Sequence, residues 1–161
     1  MKNSSLCYLE RDGKYLMLHR TKKKNDANGG KWIGVGGAFE EDESPDECAK
    51  REIFEETGLT VRRLEYRGVV TFVSDVWETE YMHLFTSSDF DGDVTDCDEG
   101  DLSWISKKDV FSLELWEGDR VFLRLLDDDA PFFSLKLTYE KDKLTRAVLD
   151  GKQLSVPEDK K

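Results

Sequence analysis

Glu52, Glu55 and Glu56 fall within five consecutive residues of a 161-residue chain. At 3.6 residues per turn, a helix places them within roughly 100° of one another. Fully solvated, like charges at this spacing cost only about 0.2–0.5 kcal/mol. In a cleft with an effective dielectric near 20, the cost at 5–6 Å is on the order of 3 kcal/mol. A carboxylate face lining a cleft therefore needs a divalent cation, whereas one on open surface is an ordinary solvated acidic face. Oxygen-only ligands suit Mg²⁺, with Mn²⁺ as a substitute, hard ions that keep several waters and share phosphate oxygens with a substrate. Such an ion acidifies water and neutralises phosphoryl charge, while a carboxylate within reach removes the proton as water attacks phosphorus. That chemistry is hydrolysis of a diphosphate linkage.

The element that must present these carboxylates is marked at both ends. Ser44-Pro45-Asp46-Glu47 forms a capping box with proline at the first helical position. Gly58 stands where a left-handed residue closes a helix, and Leu59-Thr60-Val61 is β-type. These signals predict a helix over 45–57, with Ala49 and Ile53 as its apolar stripe and the acidic face directed away from it, toward a cleft or solvent. Upstream, residues 5–10 and 14–20 read as a hairpin around Arg11-Asp12-Gly13, then a polar loop over 21–30. Lys31–Val35 leads to Gly36-Gly37, where adjacent glycines allow positive φ and close backbone approach. Downstream, 59–74 and 79–86 carry β patterns and Leu102–Ile105 is a brief strand. Residues 119–126 read as a helix with Val121, Phe122, Leu125 and Leu126 on one stripe. Asp127-Asp128-Asp129 and Pro131 end it, because acidic residues sit badly at a helix C-terminus. A hairpin over about 132–149 turns at 140–143, and a tail occupies 150–161. Strands mixed with two helices imply a mixed sheet between helices, an α+β arrangement, and residues 1–161 are expected to form one domain.

Composition bounds the partners. Hydrophobic residues make up 38% of the chain, enough for a core, and the net charge is −11. That charge argues against non-specific binding to a nucleic-acid duplex or a membrane surface. No apolar run approaches the roughly 18 residues of a span, and Glu10, Arg11 and Asp12 interrupt any signal-peptide pattern, so a cytoplasmic location is expected. Cys7, Cys48 and Cys97 lack CxxC spacing and read as reduced buried thiols. His19 and His83 sit in strand patterns, without ligand spacing. An anionic substrate must be attracted locally, and His19-Arg20-Thr21-Lys22-Lys23-Lys24 supplies the candidates. Arg20 and Lys23 are the expected phosphate contacts if this run is more than a solvated loop.

The segment 37–59 resembles the signature of the Nudix hydrolases at every position. Gly37, five residues, Glu43, seven residues, Arg51-Glu52-Ile53, then Glu55-Glu56 and Gly58-Leu59 satisfy it. The resemblance implies the Nudix fold, an α/β/α sandwich around a mixed sheet. It implies Glu52, Glu55, Glu56 and the Gly37 carbonyl as metal ligands, with Glu52 as general base or base and ligand together, and Glu56 as the firmest ligand. Arg51 is expected to orient the carboxylates by ion pairing, with Glu43 assisting. A further acid from a later loop is expected at Glu99. It lies five residues before Trp104, in an Asp-Glu-x-x-x-x-Trp arrangement similar to that of the family's oxidised-guanine triphosphatases. A solvated acidic loop is the competing reading there.

The resemblance extends over most of residues 5–150, through Asn25-Asp26 and Pro131-Phe132-Phe133, and runs nearest to the bacterial MutT-type 8-oxo-dGTP diphosphatases. Lys31-Trp32-x-Gly-x-Gly-Gly is similar to their approach to the signature. Trp116-Glu117-Gly118-Asp119 resembles their purine-reading segment, which implies Trp116 stacking on the base and Asp119 accepting its N–H bonds. Ile33 departs from the pattern, since human-type members carry at this base-contacting position an asparagine, with Asn25 and Asn28 as possible substitutes. The implied activity is Mg²⁺-dependent hydrolysis of 8-oxo-dGTP or a related oxidised purine triphosphate to monophosphate and pyrophosphate. Alternatives are another Nudix substrate, such as ADP-ribose, a dinucleoside polyphosphate or capped RNA, and a nucleotide sensor without catalysis. The residues leave monomer and homodimer equally open.

Overall fold

The computed structural model describes residues 1–22 and 25–156. The chain order is β1 (Lys2–Arg11), β2 (Lys14–Arg20), β3 (Trp32–Ile33), β4 (Val35–Ala38), α1 (Pro45–Thr57), β5 (Thr60–Ser74) and β6 (Glu80–Asp91). It continues through β7 (Gly100–Ser106), α2 (Lys107–Val110), α3 (Glu117–Asp127), β8 (Phe133–Glu140), β9 (Lys143–Leu149) and β10 (Lys152–Leu154). The strands join in one mixed sheet ordered β10-β9-β8-β5-β6-β1-β2-β3, with β4 added to β1 and β7 to β2.

Two pairs are parallel, β1 with β6 and β5 with β8. Parallel neighbours need long crossovers, and α1 lies in one crossover and α3 in the other. Burial separates the two faces residue by residue. Leu6, Tyr8, Tyr15 and Met17 pack with Phe122, Leu123 and Leu126 of α3. Cys7, Leu9, Leu16 and Leu18 pack with Ala49 and Ile53 of α1. β1 and β2 are thus covered on both sides, which is why they read as continuous apolar runs rather than alternating ones. This is the expected helix–sheet–helix sandwich.

α1 occupies the predicted span because both ends are hydrogen-bonded as the sequence indicates. Ser44 Oγ accepts from Glu47 N–H at 3.3 Å and Glu47 Oε1 accepts from Ser44 N–H at 3.0 Å. Gly58, at φ 79°, donates to the Phe54 carbonyl. Other elements differ from expectation. β1 is longer than read because its parallel pairing with β6 begins at Lys2↔Glu80, and β6 because its far end pairs antiparallel with β5 as far as Thr60↔Asp91. α2 and β10 were not anticipated, the first a single turn and the second three residues of the presumed tail paired to β9. α3 starts at Glu117, and its buried face holds Leu123 together with Phe122 and Leu126, while Val121 and Leu125 are partly buried. Gly36 and Gly37 do not have positive φ; they serve close approach only. All three cysteines are buried and free. Among the described residues no helix is long and apolar enough to cross a membrane.

The capping box holds the N-terminus of the helix that carries the acidic cluster. Ser44→Ala is expected to lower unfolding free energy by about 1 kcal/mol, read as a shift of the urea midpoint at unchanged m value. A shift near zero would mean that the cap is dispensable.

Candidate active site

β4 places the signature against β1. Leu6 pairs with Gly36 and Ser5 with Gly37. A Cβ on Gly36 would collide with the Ser5 carbonyl, and one on Gly37 would lie 2.6 Å from the Glu52 carboxyl carbon. Glu52 therefore rests directly on bare backbone. Gly36 N–H points at Glu56 Oε2, 3.4 Å away.

The three helix carboxylates do not share one environment. Glu55 is 55% exposed and Glu56 only 7%, a departure from a single acidic face. Helical geometry explains it: Glu56 lies about 20° from Ala49 around the axis, whereas Glu55 lies about 120° away. Burial pushes the Glu56 carboxyl up to about 9, and repulsion from Glu99 and Glu52 adds to the rise. Glu52 is also raised, chiefly by burial, and Glu55 and Glu99 repel it.

Arg51 ties the cluster together. It donates to Glu43 through Nε at 2.6 Å and through NH2 at 2.9 Å. NH1 reaches Glu52 at 2.8 Å and Glu55 at 3.1 Å, and NH2 also meets the Ala38 carbonyl. This fork holds the Glu43 carboxyl down at about 2, with the Glu40 amide adding a bond. Arg20 pairs with Glu99 at 3.1 Å and with Asp26 at 2.9 Å, so its charge is engaged by carboxylates although it borders the cleft. Lys23 lies outside the described residues. No group of three His, Cys, Asp or Glu side chains among the described residues is gathered at metal-binding distance; the guanidinium groups hold Glu52, Glu55 and Glu99. The donor set still fits a hard divalent cation. Its members are all oxygen, Glu52 is seated in a cradle that a Cβ would fill, and Glu56 is buried facing two like charges.

A cleft of about 520 Å³ runs from this cluster to a second set of residues. Gly37, Arg51, Glu52 and Glu99 line one part, and Ile33, Phe72, Asn28, Trp116 and Asp119 another. Trp116 differs from the stacking platform implied by the sequence. It is 5% exposed, with Lys31 Nζ 4.5 Å from its ring centroid and Phe72 and Tyr139 edge-on to it. Its indole N–H donates to Asn28 Oδ1 at 2.8 Å. A more exposed aromatic ring on the cleft is Trp77, 39% exposed at the β5–β6 turn; an isolated tryptophan in a turn carries no spacing signal. Neither histidine lines the cleft: His19 stacks on Trp32 and His83 bonds with Tyr66 and Asn3.

Residues 2–126 match the NUDIX domain. The chain belongs to the Nudix family. This Nudix chain is 32% identical over 106 residues to the oxidized purine nucleoside triphosphate hydrolase of Danio rerio, covering 65% of this chain and 67% of that protein. It is 31% identical over 118 residues to an uncharacterized Nudix hydrolase of Bacillus subtilis, covering 70% and 71%. The MutT protein of Bacillus halodurans superposes with a TM-score of 0.84 at 25% identity, over 93% of this chain and 98% of the other. The MutT protein of Methanosarcina mazei Go1 gives 0.71 at 28% identity, over 80% and 94%. The Nudix protein is a hydrolase acting on nucleoside phosphates.

Asp119 is 4% exposed, has no side-chain hydrogen bond among the described residues, and is pushed up to about 8 by burial, against the opposing pull of Arg120 and Lys31. The folded chain therefore keeps this proton from about pH 4 to 8, while the unfolded chain, at 3.8, has released it. Its contribution to stability is greatest below pH 4 and falls as pH rises, with a slope of at most about 1.4 kcal/mol per unit. Urea unfolding of wild type and Asp119→Asn between pH 5 and 9 is expected to show wild type losing stability relative to the variant. Parallel profiles would place an ionised carboxylate there at neutral pH.

Proposed function

We propose that the chain hydrolyses oxidised purine nucleoside triphosphates, 8-oxo-dGTP in particular, to monophosphate and pyrophosphate. The observation that carries this reading is a cleft shared by a carboxylate cluster on Gly37 at one part and Trp116, Asp119 and Asn28 at another. Its volume is in the range of small-molecule sites. The fish and mouse relatives, at 32% and 33% identity, are oxidized purine nucleoside triphosphate hydrolases, which supports the substrate class.

Glu52, Glu56, Glu99, Glu55 and the Gly37 carbonyl would hold the divalent cation, Mg²⁺ or Mn²⁺. When bound, it supplies charge neutralisation at the phosphoryl oxygens and a more acidic water. Glu52 takes the proton of the attacking water as the new P–O bond forms and the bridging P–O bond breaks. Arg51, braced by Glu43, fixes the Glu52 rotamer. Asp119 and Asn28 face the base, while Phe72, Ile33 and Trp77 offer it apolar walls. Lys23 and Arg20 are the proposed phosphate contacts; for Arg20 that requires sharing its charge with Glu99 and Asp26. The acidic balance argues against duplex or membrane partners, and three free buried thiols support a cytoplasmic protein.

With Mg²⁺, wild type is expected to release pyrophosphate from 8-oxo-dGTP with kcat/KM at least about tenfold above that for dGTP. Equal values, or cleavage of ADP-ribose alone, would overturn the substrate. Glu52→Gln is expected to keep its unfolding midpoint and lower kcat about a hundredfold or more, with KM little changed. Near-normal kcat would remove Glu52 from the role of base.

A further inference from the structure

At the base end of the cleft Ile33 is 9% exposed and packed in the core on the α1 side. An aliphatic side chain there offers a base edge no hydrogen bond. Asn28 lines the same cleft, and its orientation follows from chemistry. The Trp116 indole N–H is a donor only, so the amide atom that it meets at 2.8 Å is the oxygen. Nδ2 and its two N–H groups therefore face elsewhere. Nδ2 has no hydrogen-bond partner among the described residues, where the buried unpartnered atoms are Tyr8 Oη and one Arg120 nitrogen. The amide nitrogen is thus open to solvent, on a residue bordering the cleft.

The backbone of Asn28 is fixed as well. Its N–H donates to Asp26 Oδ1 at 3.2 Å and its carbonyl accepts from Lys31 N–H at 2.9 Å. Asp26 in turn accepts from the buried Arg20. A donor pair held this way is pre-oriented, so little entropy is lost when it meets a ligand.

We propose that Asn28 is a specificity-determining residue: its Nδ2 donates to an oxo group on the edge of a purine, and Trp116 positions it by occupying Oδ1. The proposal rests on the purine triphosphate reading above. An oxo group gives the amide an acceptor, whereas an amino group in the same place sets donor against donor. The site thus selects purines with an oxo group at C6 over those with an amino group there, a discrimination stronger than apolar packing provides.

The test compares kcat/KM for 8-oxo-dGTP, dITP and dATP in wild type, Asn28→Ala and Asn28→Asp, with Mg²⁺ and with the thermal midpoint recorded for each. Asn28→Ala is expected to lose about 10- to 100-fold on the two oxopurines, mainly through KM, and to change less than about threefold on dATP. Asn28→Asp replaces the donors with acceptors and is expected to shift the dITP/dATP ratio toward dATP. Equal losses on all three substrates would show a structural role for the loop, and unchanged ratios would show that the amide does not meet the base; either result overturns the proposal while leaving the enzyme's activity in place. Wild type that cleaves none of the three, yet cleaves ADP-ribose, would instead overturn the purine triphosphate reading and this proposal with it.

Discussion

The site depends on the contact between two bare glycines and what lies on either side of them. β4 runs beside β1 with Gly36 against the Ser5 carbonyl and Gly37 under the Glu52 carboxylate. A side chain on Gly36 would push β4 off β1, since backbone cannot yield, and one on Gly37 would displace the Glu52 carboxylate from its seat. Because neither has one, the helix lies close enough for Glu56 to be buried within reach of the Gly36 amide. The strand also leads in from Ile33 and Gly34, which line the cleft. One close approach therefore seats Glu52 at the edge of the cleft.

Electrostatics set what this arrangement can tolerate. A chain of net charge −11 places Glu52, Glu56 and Glu99 where each raises the free energy of another's charge. Arg51 and Arg20 offset part of that cost, each pairing with more than one carboxylate. The arginine next to Glu52 in sequence is thus structural support for the cluster. Its planar fork serves Glu43 through two nitrogens, a geometry that lysine cannot reproduce.

What the sequence reveals follows from how local the signals are. α1 is legible to its ends because Ser44, Glu47 and Gly58 act within a turn of the helix they bound. The ion pairing of Arg51 with Glu52 and Glu55 is legible because the signature is contiguous. Glu56 reads as part of an open acidic face, since only tertiary packing shows how far the core covers it. The covering of Trp116 by Lys31, and its bond to Asn28, join residues 85 and 88 positions apart in sequence, so no spacing rule reports them. α2 and β10 are too short to carry periodicity, and each forms because longer strands give it something to pack against or pair with.

The loop between β2 and β3 then acquires a meaning that its composition hides. Glu99 pairs with Arg20, Arg20 with Asp26, Asp26 with the Asn28 amide, and Asn28 with Trp116. Arg20 and Asp26 are both 8% exposed, and removing one partner of a buried ion pair costs about 3–5 kcal/mol. Asn28 therefore cannot shift far without loosening a buried pair that also holds Glu99. On the proposed reading, this chain of contacts sets the spacing between the group that meets the base and an acid at the phosphate end, and a substrate that fits one end is held in register for the other.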